Sequence, residues 1–355
     1  MKPNSASCFD LLSCPIDGAN LIFEGDTMRC THGHAFPIVQ GVPVLLREDV
    51  AHTIGLAQKS LDAAARWMRG ERDDRLFIET LGVSDEEKRI ASAAAASNEN
   101  CIDPVVSILV GATNGIAYKN VIGRLDKIPL PELRLPPADA DRRRLLDIGC
   151  SWGRWSIAAA AKGYRSIGID PSLGAVLAAK RLADRLGLAF DVVVADARHL
   201  PFRKEAVDVA FSYSVLQHFS KTDSRRALNE IARVTRPDGT VKIQMASAIG
   251  LRSLQHLLRR RFREPQGFEV RYWMPWELRN TFEEVFGNAE IEVDCYFGLG
   301  LQPSDAEMYS TTGRAAVERS EWLRGISLAV RPLVFVADSL YLTSRNAPQG
   351  KAVTH

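Results

Sequence analysis

Residues 145–161, LLDIGCSWGRWSIAAAA, join an apolar run to a glycine-containing turn and an alanine-rich helix. Gly149 and Gly153 permit a tight turn and let a ligand approach bare backbone at a helix N-terminus. Asp147 stands at the mouth of that turn. Asp170 closes the next apolar run, SIGID, 23 residues further on, where a carboxylate can accept from both hydroxyls of a ribose. Asp196 closes a third run, VVVAD, and can accept from the exocyclic amine of an adenine or from a backbone network beside its ring. FSYSVLQHF, 211–219, follows a fourth. Such positions fall at the carboxyl ends of adjacent strands, where open α/β sheets bind ligands.

The ligand chemistry can be narrowed. A dinucleotide fingerprint requires G-x-G-x-x-G. With Gly149 as its first glycine, the second and third fall on Ser151 and Arg154. An acid at 147 would repel a pyrophosphate and favour a ligand with a positive amino group. S-adenosylmethionine carries that amine, a ribose and an adenine, and no phosphate.

Residues 145–245 resemble the class I S-adenosylmethionine-dependent methyltransferases, in particular the type 11 methyltransferase domain. LDIGCSWGRW, GIDPS, ADARHLPF, FSYSVLQHF and EIARVTRPDGT carry the resemblance, over under a third of the chain. It implies an α/β fold: a seven-stranded, doubly wound, Rossmann-like sheet with the last strand antiparallel. It also implies that Asp147, Gly149 and Gly153 line the methionine end of the cofactor, with Cys150 and Pro171 among its contacts. Asp170 would hold the ribose, and Asp196 and Ala197 would face the adenine. Ser212, Tyr213, Gln217 and His218 would sit near the sulfonium and the substrate. His218 suits a general base at neutral pH, or a hydrogen-bonded histidine that shapes the pocket; Tyr213 divides the same way. Alignment alone can supply much of the rate of methyl transfer, so a base matters mainly for a hydroxyl acceptor. Tyr118, in NGIAYKNVIG, would cap the cofactor from a helical lid or simply pack.

A second constellation lies in residues 11–46, LLSCPIDGANLIFEGDTMRCTHGHAFPIVQGVPVLL. Cys14-x-x-Asp17 and Cys30-x-x-x-His34 have metal-ligand spacing, although structural zinc favours Cys and His. The segment resembles the small zinc-ribbon-like proteins that activate tRNA and protein methyltransferases. Cys14, Pro15, Cys30, Pro37, Ile38, Gly41, Val42 and Pro43 match, while Asp17 replaces the usual second cysteine. Bound Zn2+ and a metal-free ribbon held by its apolar core both fit. His32 is expected in solvent rather than as a ligand. The same order, ribbon then methyltransferase, occurs in a family of ribosomal RNA guanine methyltransferases, which makes RNA an alternative acceptor.

These groups need elements to position them. Residues 1–50 read as a small β-rich ribbon module. Residues 51–141 read as a helical lid, with a helix around 105–125, ending in the Pro-rich linker IPLPELRLPPADAD. Residues 142–355 read as the methyltransferase domain. Its strands are predicted at RLLDIG, SIGID, DVVVAD, VDVAFSYS and TVKIQM, the fifth preceded by a helix ended by Pro-Asp-Gly. IEVDCYFGLG (291–300) and PLVFVADSLYLTS (332–344) would complete the sheet, with an insertion at about 303–330 that would govern substrate choice. The arginines of 259–263 read as a phosphate-holding patch or a solvated helix end, and Tyr272–Trp276 as a stacking platform or a core wedge.

Composition bounds the partners. The chain has 355 residues and a net charge of +2, which argues against a dedicated nucleic-acid binder. Apolar and charged fractions of 46% and 25% are those of an ordinary globular protein. Six scattered cysteines suit a reducing cytoplasm. No apolar run approaches the roughly 18 residues of a membrane span, and no secretory signal is visible at the N-terminus. The expected activity is methyl transfer from S-adenosylmethionine to a hydroxyl or amine of a small molecule or saccharide. RNA is the second acceptor class, and a non-enzymatic cofactor-binding scaffold the third reading.

Overall fold

Gln40 and Gly41, at φ 49° and 78°, make the primed kind of turn that matches the twist of a hairpin. They join the last two of four short strands: β1 (Leu21–Glu24), β2 (Thr27–Cys30), β3 (Ala35–Val39) and β4 (Val42–Pro43), which form an antiparallel sheet in that order. The computed structural model describes residues 8–51, 55–73, 75–97, 101–114, 122, 125, 127–138 and 143–346. Helices α1 (Leu56–Met68), α2 (Arg75–Ile78), α3 (Asp85–Ser97) and α4 (Pro104–Asn114) follow. Then come β5 (Arg144–Ile148), α5 (Arg154–Ala161), β6 (Arg165–Asp170), α6 (Leu173–Leu186), β7 (Asp191–Val194) and β8 (Val207–Ser212). The chain continues through α7 (Lys221–Val234), β9 (Thr235–Ala246), α8 (Leu251–Arg259), α9 (Pro275–Phe286), β10 (Glu290–Cys295), α10 (Thr311–Ser327) and β11 (Ser339–Arg345). The seven later strands follow the sheet order β10-β11-β9-β8-β5-β6-β7. The last, β11, runs antiparallel to both of its neighbours, as the expected fold class requires. Tyr118 lies outside the described residues.

The chain divides into two compact units, Met1–Arg203 and Lys204–His355. In the first, β5, β6 and β7 pair in parallel, with Asp147 opposite Gly168 and Asp170 opposite Val194. These strands are buried almost throughout, because a parallel sheet is covered on both faces. A ribbon of this size buries too little apolar surface to be self-sufficient. It fuses its core with the sheet instead: Val39, Val42, Val44 and Leu46 join one cluster with Leu173, Val176, Leu177, Val192 and Val194. Val44 makes a parallel bridge to Val194, and the Leu45 N–H donates to the Val194 carbonyl at 2.8 Å. The other end is tied by the Arg203 N–H, which donates to the Leu11 carbonyl at 2.9 Å.

Helix α1 and the turn after α2 supply hydrogen bonds that the start of α6 lacks. The first N–H groups of a helix have no partner inside it. Ser60 Oγ accepts from the Leu173 N–H at 2.9 Å, and Thr80 Oγ1 from the Gly174 N–H at 2.7 Å. Ser172 Oγ caps from outside the helix, accepting from the Ala175 N–H and donating to the Thr80 carbonyl. A Cβ on Gly174 would lie 2.2 Å from the Phe77 carbonyl oxygen, so glycine is what allows the approach. Residues 128–138 of the Pro-rich linker form neither helix nor strand, and Lys162 Nζ and the Tyr164 hydroxyl donate to the carbonyls of Leu135 and Pro136.

In the second unit β8 and β9 are parallel, while β11 pairs antiparallel with β9 and β10. Three boundaries differ from expectation. Helix α7 ends at Val234, and Thr235 already pairs with Val207, so the Arg-Pro-Asp-Gly stretch falls in an irregular part of β9. Strand β10 stops at Cys295, since Phe297, Gly298 and Gly300 all take positive φ. Residues 331–336 form a 3-10 turn, and only Ser339–Arg345 pair as a strand.

Candidate functional site

In the first unit the turn after β5 places Gly149, Ser151 and Gly153 at φ 77°, 47° and 87°. The N–H groups of Gly149 and Cys150 both donate to the Ile169 carbonyl at 2.8 Å, which fastens the turn to β6. Asp170 completes the clasp: its Oδ2 accepts from the Ser151 N–H at 3.0 Å and its Oδ1 from the Ser172 N–H at 2.9 Å. Asp147 is 1% exposed and accepts from Ser156 Oγ at 2.7 Å. Burial pushes the Asp147 carboxyl up to about 7, with the charge of Asp170 adding to it. Burial likewise pushes Asp170 up to about 6, against the two N–H groups that favour its charged form.

Neither carboxylate has a cationic side-chain partner among the described residues. A ligand that brings positive charge between them relieves both. The amine and sulfonium of S-adenosylmethionine fit that requirement, and a pyrophosphate does not.

The remaining predicted contacts divide. Cys150 turns its side chain into the core, where a Cβ on Gly168 would meet the Cys150 Sγ at 2.9 Å. Its contribution to the turn is its backbone N–H. The Pro171 carbonyl accepts from Ser60 Oγ at 2.7 Å, and Ala197 is buried. Asp196, expected at the adenine, is spanned by Arg198. The guanidinium donates from Nε to Oδ1 at 3.0 Å and from Nη2 to Oδ2 at 2.7 Å, and the Arg198 N–H donates to Oδ1 at 2.8 Å. The Arg198 guanidinium is held in turn by the Ala51 carbonyl at 3.0 Å.

In the ribbon, one donor atom from each of Cys14, Asp17, Cys30 and His34 lies within 4.8 Å of all the others. His34 Nδ1 stands 3.0 Å from Asp17 Oδ2, 3.4 Å from Cys30 Sγ and 3.6 Å from Cys14 Sγ. His32, with its side chain 65% exposed, stands outside the four and meets Asp17 Oδ2 at 2.9 Å.

In the second unit, Ser212 ends β8 fully buried. Ser214 takes φ 61°, and its N–H donates to Gln244 Oε1 at 2.7 Å. Gln217 Nε2 donates to Ser214 Oγ at 3.1 Å, while its buried Oε1 has no donor among the described residues. His218 Nδ1 meets the Phe268 carbonyl at 2.8 Å; a carbonyl only accepts, so the proton sits on Nδ1. The imidazole stacks on the Phe268 ring at 3.7 Å between centroids. Burial, helped by the neighbouring Arg271, pulls the His218 pKa down to about 4 despite the carbonyl. The ring is therefore neutral at pH 7 and a weak base.

Tyr213 donates to Asp294 Oδ2 and accepts from Gln302 Nε2, both at 2.8 Å. Burial, then the Asp294 charge, pushes the phenol well above 10. Asp294 also accepts from Ser339 Oγ at 2.7 Å, and Gln244 Nε2 donates to the same Ser339 Oγ at 2.6 Å. Asp294, Gln302, Gln244 and Ser339 were absent from the sequence expectations. The one signal was an acid inside the apolar run IEVDCYF. Of the other groups singled out, Arg263 pairs with Glu269, the Arg260 guanidinium lies over the Tyr272 ring, Trp273 is core and Trp276 is exposed.

Comparison with known proteins bears on this geometry. Residues 146–243 match the family described as Methyltransferase domain. The chain is 30% identical over 183 residues to the biotin biosynthesis bifunctional protein BioHC of Cellvibrio japonicus, covering 52% of this chain and 32% of that protein. It is 32% identical over 108 residues to the tRNA (carboxymethyluridine(34)-5-O)-methyltransferase of Arabidopsis thaliana, covering 29% and 24%. It is 25% identical over 193 residues to the ubiquinone biosynthesis O-methyltransferase of Azorhizobium caulinodans, covering 50% and 74%. The chain thus spans about a third of the first of these relatives and a quarter of the second. With the parallel strands, the glycine turn and the paired aspartates in place, residues 146–243 form a methyltransferase domain, similar in sequence to the methyltransferases above.

Proposed function

We propose that this chain transfers a methyl group from S-adenosylmethionine to a hydroxyl or amine of a small molecule or saccharide. The observation that carries the reading is the pair Asp147 and Asp170: one buried and one half-buried carboxylate, both pushed up, flanking a positive-φ turn without a protein cation among the described residues. The cofactor supplies an electrophilic methyl for in-line displacement. Asp147 faces its amine, Asp170 its ribose, and the backbone of 149–153 its methionine end. Asp196, held by Arg198, forms a rigid wall toward the adenine rather than a free acceptor. His218, neutral and fixed by Phe268, orients the acceptor. Gln217 Oε1 offers a buried acceptor to a ligand N–H or O–H.

Calorimetry with S-adenosylmethionine tests this. The wild type binds, and Asp170→Asn binds at least about tenfold more weakly, a difference of about 1.4 kcal/mol. No binding by the wild type, or equal binding by the variant, sinks the reading.

A second acceptor class, RNA, is favoured by the ribbon-first domain order and by the arginines at 252, 259 and 261 on and just after α8, and a tRNA methyltransferase is among the relatives. Salt-sensitive retention on RNA that disappears in Arg259→Ala/Arg261→Ala would move the assignment there. We further propose that Cys14, Asp17, Cys30 and His34 hold Zn2+, since their donor atoms already converge. The free thiols fit a reducing cytoplasm, and no helix among the described residues is long and apolar enough to cross a membrane.

A further inference from the structure

A cavity of about 410 Å³ opens in the second unit, lined by Leu251, Arg252, Gln255, Phe297, Ala316 and Arg319. That volume is in the range of small-molecule sites. Its walls come from α8, the turn after β10, and α10. Strand β9 is parallel to β8, and β11 is antiparallel to both β9 and β10, so β8, β9 and β10 end on one edge of the sheet. The cavity therefore opens on the same edge as Tyr213 and Gln217.

The walls are fixed before any ligand arrives. The Ser253 N–H donates to Asp338 Oδ1 at 2.7 Å, and a Cβ on Gly250 would lie 2.4 Å from the Asp338 Cα, so the first turn of α8 is locked. Phe297 takes φ 62°, a conformation that costs a bulky side chain about 1–3 kcal/mol and persists only where its surroundings impose it. They do so here: the Tyr296 N–H donates to Ser320 Oγ at 2.8 Å, and Cys295 Sγ meets the Gly298 carbonyl at 3.3 Å.

The lining has two chemistries. Leu251, Phe297 and Ala316 are apolar. Two guanidiniums stand among them. Arg252 Nη1 donates to Gln255 Oε1 at 3.0 Å, and among the described residues neither Arg252 nor Arg319 pairs with a carboxylate. Guanidiniums left without an acid at the rim of an apolar cavity suit an anion attached to an apolar body.

We propose that this cavity binds an amphipathic acid, its apolar body against Leu251 and Phe297 and its carboxylate or phosphate between Arg252 and Arg319. As the acceptor class of the methyl transfer, the assignment rests on the methyltransferase reading above. Calorimetry on the full chain, with decanoate, decyl phosphate and decanol as monomers and S-adenosylmethionine separately, tests it. One or both acids bind, and decanol binds at least about tenfold more weakly. Tighter binding of decanoate assigns a carboxylate, and of decyl phosphate a phosphate. In Arg252→Gln/Arg319→Gln, acid binding falls by about tenfold or more while S-adenosylmethionine binding and the unfolding midpoint stay unchanged. Equal binding of decanol and the acids, or undiminished acid binding by the double variant, overturns the proposal. So does binding to phosphatidylglycerol vesicles with none to the monomeric acids, which would make this face a lipid-docking surface. Failure of S-adenosylmethionine binding alone would sink the methyltransferase reading and leave the amphipathic-acid site standing.

Discussion

The Tyr213 hydroxyl donates to a carboxylate, Asp294, that is fully buried and 81 residues away in the chain. Removing that hydroxyl leaves a buried charge with one donor fewer. Tyr213→Phe is expected to lose about 1–3 kcal/mol of stability, read from urea unfolding. With the phenol pushed well above 10, the pH–rate profile of the variant should keep the shape of the wild type. Loss of a basic limb in the variant would instead make Tyr213 a proton acceptor in the reaction.

Asp147 gives the pH dependence. Its carboxyl rises from 3.8 to about 7 on folding. Between those values the folded chain binds more protons than the unfolded chain. This group's contribution to stability is therefore complete below about pH 4 and lost as pH rises through 7, by up to about 4 kcal/mol. Asp170, raised to about 6, acts with the same sign. Asp147→Asn should stabilise the ligand-free chain at pH 8 and weaken S-adenosylmethionine binding. In the wild type that binding should tighten from pH 5 to pH 7 and release a proton, measurable as a buffer-dependent heat. Binding that is flat over this range would mean that no cation meets Asp147.

Gly174 and Gly325 form a matched pair of glycine tests. A methyl group at 174 would press on the Phe77 carbonyl, whereas one at 325, within α10, meets nothing within 4 Å. Gly174→Ala should cost about 1–3 kcal/mol or more by overpacking. Gly325→Ala should gain up to about 1 kcal/mol through helix propensity. Thermal unfolding of the two variants reads opposite signs.

Metal analysis of the purified chain should find one zinc, absent after Cys30→Ser. Because Val44 and Leu46 share a core with β7, stripping the metal should lower the unfolding midpoint of the first unit as a whole, followed by circular dichroism during chelation. A chain that holds no zinc even after reconstitution, with an unchanged midpoint under chelator, would show the ribbon to be held by its apolar core alone.

What could be read in advance was local. The glycine turn, Asp147 and Asp170, and the alternation of strand and helix rest on patterns a few residues long, fixed by backbone conformation and hydrophobic period. The four ribbon donors were equally legible, because short spacings around a hairpin carry them together. Strand ends were less so, since the stop of β10 depends on Phe297 entering a conformation that sequence does not announce.

The roles of individual side chains were decided only by the fold. The pairing of Asp196 with Arg198, which the Ala51 carbonyl holds in place, is not written in the local pattern. Ser60 looks like an ordinary helix residue and Thr80 like an ordinary turn residue until they cap α6 from 113 and 94 residues away. Tyr213 divides between a base and a pocket-shaping residue in the sequence, and its partners Asp294 and Gln302 come from a strand and a loop far along the chain. A buried polar group must find its partner wherever packing brings one, and hydrophobic pattern fixes which faces are buried without fixing which distant side chains meet there.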